Sequence, residues 1–539
     1  MSKIKTHSFK DSHFLNKPWI RSISCVLMAQ VSLLLTLSSP LLGNEKESTS
    51  EKTLFAFDDH SIPWKNNLKL TMVKPEKHAS NPLIPRGEKG AVDEWAVQYY
   101  GSTIKHDGLY KTWYIAADNE SLELIKKGKG FSGLRPAYAE SDDGIHWRKP
   151  NLGLVEYNGS KNNNLVLIDP PDVAGIHLIV IHEEDDPDPT RQFKMLLTVS
   201  AYVEGSKGSS TITLFSEDGL SWRSPTPLHF EEGYLPEEDL ILPSINFEQG
   251  GLFKYNGMYH LPGQQFSPSV WQPDGKRVGR VMVTLRSRDL IHWEESTALG
   301  FIRGTAIGKV GKVSEDEEAH LASSIWNRGN VQLGVYGLWH GAQKWQERGL
   351  DLGFMLSNNG IHFREPERDY VFISAGEEGS WDEGGLLQGQ GFHHIGDRTY
   401  VYYGSWDLTK PSYPPRGGVG AVSVERDRFG FLSAFNSERE ARFVTAPVEP
   451  EGKSTKVILN VDQIDANSSI RIELLDELSQ PIPGYSGSDA GTVSESGFHQ
   501  VVNWPKSNSG IINLKKPYSI RVLLPEGGEA QFFALYVSN

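Results

Sequence analysis

Ser141-Asp-Asp-Gly-Ile-His-Trp147 is one of four related stretches whose spacing decides how this chain folds. The others are Ser216-Glu-Asp-Gly-Leu-Ser-Trp222, Ser287-Arg-Asp-Leu-Ile-His-Trp293 and Ser357-Asn-Asn-Gly-Ile-His-Phe363. Their starts lie 75, 71 and 70 residues apart, and each follows a strand-like run such as Ile212-Thr-Leu-Phe215 or Val281-Met-Val-Thr-Leu285. A fixed long period marks a repeat architecture. In three copies an Asp-Gly or Asn-Gly pair supplies the positive φ angles of a tight hairpin, and the later aromatic belongs to the return strand. The third copy has Asp289-Leu290 instead, so a different turn is expected there. The signature is expected to serve turns and packing between repeats rather than catalysis.

A second motif precedes it within each unit. A strand ends in a turn and an aromatic strand follows: Asp107-Gly-Leu-Tyr-Lys-Thr-Trp-Tyr114, Asn256-Gly-Met-Tyr259 and Gly396-Asp-Arg-Thr-Tyr-Val-Tyr-Tyr403, with Gln192-Phe-Lys-Met195 in the same place in the second unit. Two hairpins per unit are the content of one four-stranded propeller blade. Four signatures, plus the hairpin at 396–403 followed by Gly418-Val-Gly-Ala-Val-Ser423, predict five blades between residues 80 and 436. No stretch shows sustained helical periodicity. From Phe443 the texture changes to runs such as Val457-Ile-Leu-Asn-Val461 and Ile520-Arg-Val-Leu-Leu524, which predict a β-sandwich over 443–539. The expected fold is therefore all-β, a five-bladed β-propeller followed by a C-terminal β-sandwich, with 44–79 as a lead-in segment.

Residues 1–43 are of another composition. Lys17 and Arg21 flank a nearly uncharged run from Ile23 to Leu42, with small Gly43 at the end, as in a secretory signal peptide. The interruption at Ser38-Ser39-Pro40 argues against a retained anchor, so a secreted or periplasmic location without stable membrane association is expected. The only cysteine, Cys25, lies inside this segment, which leaves the mature chain no disulfides or thiolate chemistry. A net charge of −14 argues against a nucleic acid partner, which requires a basic face. No Cys/His metal spacing and no Asp-x-Asp-x-Asp-Gly calcium loop appears, and no cofactor is expected.

In a propeller, acidic residues near the starts of the innermost strands converge on one mouth of the channel. Carboxyl groups so placed can flank a glycosidic bond, one protonated to serve the leaving oxygen and another ionised. The strongest such residue is Glu248, in Phe247-Glu-Gln-Gly-Gly-Leu-Phe253, a single acid in an apolar strand with two glycines behind it. Apolar surroundings raise a carboxyl pKa, and small neighbours let backbone run close to a ligand. This block resembles the Trp-Glu-Cys-Pro-x-Leu-Phe block of glycoside hydrolase family 32 and its five-bladed relatives, with Gln249-Gly250 in place of Cys-Pro. The resemblance implies a glycosidase related to families 32 and 43, a carbohydrate substrate, and Glu248 as general acid.

The same relatives place an aspartate before the innermost strand of the first blade, which selects Asp93 as its partner and Glu94 as an alternate or substrate contact. Gly87-Glu-Lys-Gly-Ala-Val-Asp-Glu94 recurs as Gly376-Glu-Glu-Gly-Ser-Trp-Asp-Glu383, so the pair also reads as a repeated turn element. In the second unit Asp186-Pro187 reads as a hairpin turn, and Asp172 and His177 are less visible candidates. Further on, Glu317, Glu318, His320, Trp339 and Gln388 are expected at the cup, with Asn327, Arg328 and Asn330 following. Of these, His320, Trp339 and Gln388 are expected to contact substrate. The alternatives are a non-catalytic carbohydrate-binding propeller, or a sialidase-like or glycoside phosphorylase-like enzyme.

Overall fold

The computed structural model describes residues 51–171, 173–266, 280–302, 319–341, 348–406, 416–450, 454–464, 468–507 and 510–538. The segment expected to be a signal peptide, with Asp172, Glu317 and Glu318, lies outside the described residues. Strands dominate. The single α-helix among the described residues, Asn119–Lys126, is capped where the Asp118 carboxylate accepts the Ser121 N–H. Eight residues are too few to show a sustained periodic face, and the helix escapes a reading of the sequence pattern.

Five antiparallel meanders follow one another. The first runs Ala96–His106, Leu109–Ala117, Arg135–Ser141 and Trp147–Arg148. The second runs His177–His182, Phe193–Val203, Ser206–Ser216 and Ser221–Arg223. In the third, Phe247–Gln249 and Phe253–Tyr255 both pair with Met258–Phe266, followed by Arg280–Ser287 and Ala298–Phe301. The fourth is Ala319–Asn327, Gln332–Gly341, Arg348–Ser357 and Val371–Ile373. The fifth, Leu386–Ile395, Arg398–Ser405 and Val419–Glu425, takes its last strand from the other end of the chain, where Glu76–Lys77 pairs with Ser423 and Val422.

Polar side chains stitch the first strands of these sheets into a closed ring. Gln98 Nε2 donates to Ile176 O at 2.9 Å, and Gln249 Nε2 to His177 O at 3.1 Å. Ser324 Oγ donates to Gly250 O at 3.1 Å, and Gln388 Nε2 to His320 O at 3.2 Å. A parallel pairing of Gln390 with Ser102 joins the fifth sheet to the first.

The repeated signature locks neighbouring sheets from outside. In every copy the serine Oγ accepts an N–H three residues on, from Gly144, Gly219, Leu290 and Gly360. The turn carbonyl then accepts a donor from another sheet: Tyr402 OH to Gly144 O, Trp113 Nε1 to Gly219 O, and Thr213 Oγ1 to Leu290 O. The expectation of a different third turn is corrected, because Leu290 adopts φ +65° and makes the same bonds. That left-handed backbone costs a leucine about 1–2 kcal/mol. Its fully buried side chain, packed with Phe215 and Leu285, regains about 2 kcal/mol.

Two further antiparallel sheets enclose one apolar core that includes Leu459, Phe532, Ile472, Val522 and Trp504. The segment expected as a lead-in supplies three of their strands: Lys52–Phe55 pairs with Gln531–Ser538, Trp64–Asn66 with Ala441–Val444, and Leu68–Met72 with Gly430–Ala434. The last of these also moves residues 430–434 out of the ring. Arg328 joins the two parts through buried Asp427, at 2.7 Å, and Asp427 accepts Tyr536 OH at 2.9 Å.

Candidate active site

Tyr100, His177, His320 and Gln388, each on a first strand of the ring, form one cluster, and Glu248 on the first strand of the third sheet is linked to it through Arg280, whose charge acts on both Glu248 and His320. The Tyr100 and His177 rings meet edge to face at 4.4 Å, and Tyr100 OH lies 3.4 Å from His320 Nδ1. His320 also packs edge-on against Trp339 at 4.8 Å and is tilted against Trp406 at 5.9 Å. The Arg280 guanidinium lies 5.4 Å from the Trp339 ring centre. Phe, Tyr and Trp faces beside polar groups are what a sugar needs, with C–H faces to stack and hydroxyls to bond.

Glu248 is half-buried, and its Oε2 accepts Gln264 Nε2 at 2.8 Å from the paired strand position. Burial raises its pKa above the ordinary carboxyl value, with the Arg280 charge acting in the opposite direction. Burial holds His177 down at about 3, and holds His320 well below the usual histidine value with help from Arg280 and His177. Both imidazoles are therefore neutral at pH 7.

Gly251, one of the two glycines behind Glu248, and Gly389 both sit where neighbouring protein atoms leave no room for a side chain. A Cβ on Gly251 would meet Ser323 O at 2.4 Å, and one on Gly389 would meet the Tyr99 ring at 2.0 Å. The third and fourth sheets approach closely at the first position, and Tyr99 fills the space at the second. Gln388, expected as a substrate contact, spends its amide on His320 O. Trp339 is 1% exposed and supports His320 from behind.

Asp93 is corrected. It is 1% exposed, and its Oδ2 accepts Tyr114 OH at 2.7 Å and Lys149 Nζ at 2.6 Å. The duplicated motif builds the same triad again, with Asp382 Oδ2 accepting Tyr403 OH at 2.9 Å and Lys77 Nζ at 2.6 Å. Glu94 and Glu383 repeat as well, each accepting a glycine N–H four residues upstream, from Gly90 and Gly379. Two copies of one geometry in two sheets indicate a turn brace. The second-unit turn reading agrees with the structure, where Asp186 Oδ2 pairs with buried Lys194 at 2.7 Å. Arg328 and Asn330 lie away from the cluster, bound to Asp427 and Thr53.

Sequence reading did not single out Tyr100, Gln264, Arg280 or Trp406. Gln264-Gln265, two adjacent polar residues inside the strand-like run Met258–Phe266, were a usable signal for one of them.

No family model matches the chain, and no curated protein does either. Solved structures do. One represents the GH130 family of mannoside phosphorylases, which contains glycoside hydrolases that target β-1,2 mannosidic linkages in Candida mannan; it is 14% identical over 66% of this chain and 94% of its own, with a TM-score of 0.40. A glycosyl hydrolase from Bacteroides ovatus is 16% identical over 68% of this chain and 98% of its own, with a TM-score of 0.41. An N-acetylgalactosamine deacetylase from F. plautii is 14% identical over 66% and 95%, with a TM-score of 0.42.

Proposed function

We propose that this chain is an exported glycoside hydrolase. In this reading the five meanders are the blades of a β-propeller, the two further sheets are a β-sandwich, and Glu248 is the general acid. One observation carries the proposal: a half-buried carboxyl with a raised pKa stands on a first strand of the ring, held by Gln264 through one oxygen, and feels the charge of Arg280, whose guanidinium lies over Trp339 beside His320. A protonated carboxyl in that setting can pass its proton to a glycosidic oxygen as the bond to carbon breaks. Tyr100 and Trp406 offer faces for the sugar ring, while His320 stays neutral and polar between them.

The test is Glu248→Gln in the full chain, assayed for release of reducing ends from a panel of glycans. Loss of turnover by at least about a thousandfold, with an unchanged unfolding transition, is expected for a missing acid. Wild-type-like turnover in this variant would remove Glu248 from the chemistry.

One observation favours a second reading, a non-catalytic carbohydrate-binding propeller. Glu248 is the only carboxylate of the cluster among the described residues, and hydrolysis requires a second one to activate water or attack. Glycan retention by wild-type protein without any release of reducing ends would select that reading.

A further inference from the structure

The seam between the second and third sheets carries polar side chains that the proposed chemistry does not use. Deeper in this seam Ile179 and Leu196 share an apolar cluster with Phe247, Leu261 and Val283, and Thr213 Oγ1 donates to Leu290 O at 2.6 Å. Two positions along each of those second-sheet strands, on the same face, stand His177, Thr198 and Thr211. His177 is paired with Thr198 and Thr198 with Thr211, so the three side chains are direct neighbours.

The third sheet faces them with Gln249 and Gln265. Gln249 Nε2 donates to His177 O at 3.1 Å and to Leu196 O at 2.7 Å, which brings its amide against the second sheet. Gln265 pairs with Phe247, which lies two positions from Gln249, so all three share one face. The five polar side chains are all buried, with exposures from 0% at Thr198 to 7% at His177. Yet His177 Nδ1, Thr198 Oγ1, Thr211 Oγ1, Gln249 Oε1 and Gln265 Oε1 have no hydrogen-bond partner among the described residues. Buried polar atoms of native folds are bonded to protein or to ordered water, and five that line one seam from two sheets need a common partner.

The chemistry of these atoms selects that partner. The two amide oxygens only accept hydrogen bonds, so they repel an anion. None of the five side chains carries a negative charge, so a cation would be buried without compensation. Water both donates and accepts. It can give its hydrogens to Gln249 and Gln265 and still bond the threonine hydroxyls and the imidazole. We infer that the seam is a binding site for ordered water, about two molecules at roughly three hydrogen bonds each. The site backs onto Phe247–Gln249, the short strand from whose opposite face Glu248 projects, and the water braces the backbone there. This assignment stands whether or not Glu248 is a general acid.

A crystal structure of the full chain, together with the variants Thr198→Val and Thr211→Val, tests the site. Density is expected for water about 2.7–3.2 Å from at least two of the five atoms. Each valine keeps the shape of the side chain and removes a hydroxyl that water holds. The unfolding equilibrium constant from urea titration is therefore expected to rise at least about threefold in each variant. An unbonded hydroxyl predicts the opposite sign, because valine then relieves a buried polar atom. A dry seam overturns the inference, and so does stability that is unchanged or raised in both variants. Anomalous scattering from the site after exchange of sodium for rubidium also overturns it, because the ligand is then a cation. Should either variant fail to fold, the wild-type density still decides.

Discussion

Gln264 Nε2 and Glu248 Oε2 stand 2.8 Å apart across paired strands, and this is the only hydrogen bond made by the Glu248 carboxyl among the described residues. One oxygen is fixed and the other accepts no hydrogen bond from the described residues, so the side chain is oriented without being saturated.

Gln264→Ala removes that orientation. kcat is expected to fall by roughly tenfold to a hundredfold with KM little changed, because a general acid out of line loses its reaction geometry before it loses binding. Steady-state kinetics check this, and an unchanged kcat would show that Gln264 does not position the acid.

The pH dependence follows from the raised pKa of Glu248. The proton-donating form exists below that pKa and is lost as pH rises through it, so the alkaline limb of kcat/KM is expected above the ordinary carboxyl value of 4.5. Arg280 pulls the pKa down, and Arg280→Gln is therefore expected to move the limb to higher pH. A limb that moves to lower pH contradicts the assignment.

The twin braces give opposite predictions for structure and catalysis. Lys149→Met leaves Asp93 buried beside Tyr114 without its cation and is expected to cost about 3 kcal/mol in denaturant unfolding. Lys77→Met at the second brace should cost less, because Lys77 is more exposed than Lys149, 36% against 24%. Activity per folded molecule is expected to stay at the wild-type level in both. A Lys149→Met protein that is stable yet inactive would return Asp93 to the reaction.

Leu290 allows a test of backbone strain. Alanine and glycine at this position remove the same buried side chain, but only glycine relaxes the left-handed backbone. Leu290→Gly is expected to be more stable than Leu290→Ala by about 1 kcal/mol, the reverse of their order inside a strand. Thermal unfolding of the pair measures the difference directly.

The sheets were legible in the sequence because each carries its own turn chemistry. Ser141, Ser216, Ser287 and Ser357 announce the hairpins that the hydrogen bonds then show. Turn residues act over a few positions, so local pattern is enough to find them. What the sequence hid was contact between distant segments. The ties of Asp93 to Lys149 and Tyr114 join distant segments, and nothing near Arg280 or Trp406 in the chain announces that they meet Trp339 and His320. Leu290 was misread for another reason: burial outweighed the local preference for glycine.

The strand Glu76–Lys77, which completes the fifth sheet, also sets an order of events during folding. Four of the five meanders are built from contiguous chain and can form by local hairpin closure. The fifth must wait until Ser423 and Val422 exist to receive a segment made far earlier, so the last closure carries a large loop entropy. Until then the outer edge of Val419–Glu425 lies open to any passing strand, and the interval before that docking is when the chain is most exposed to aggregation.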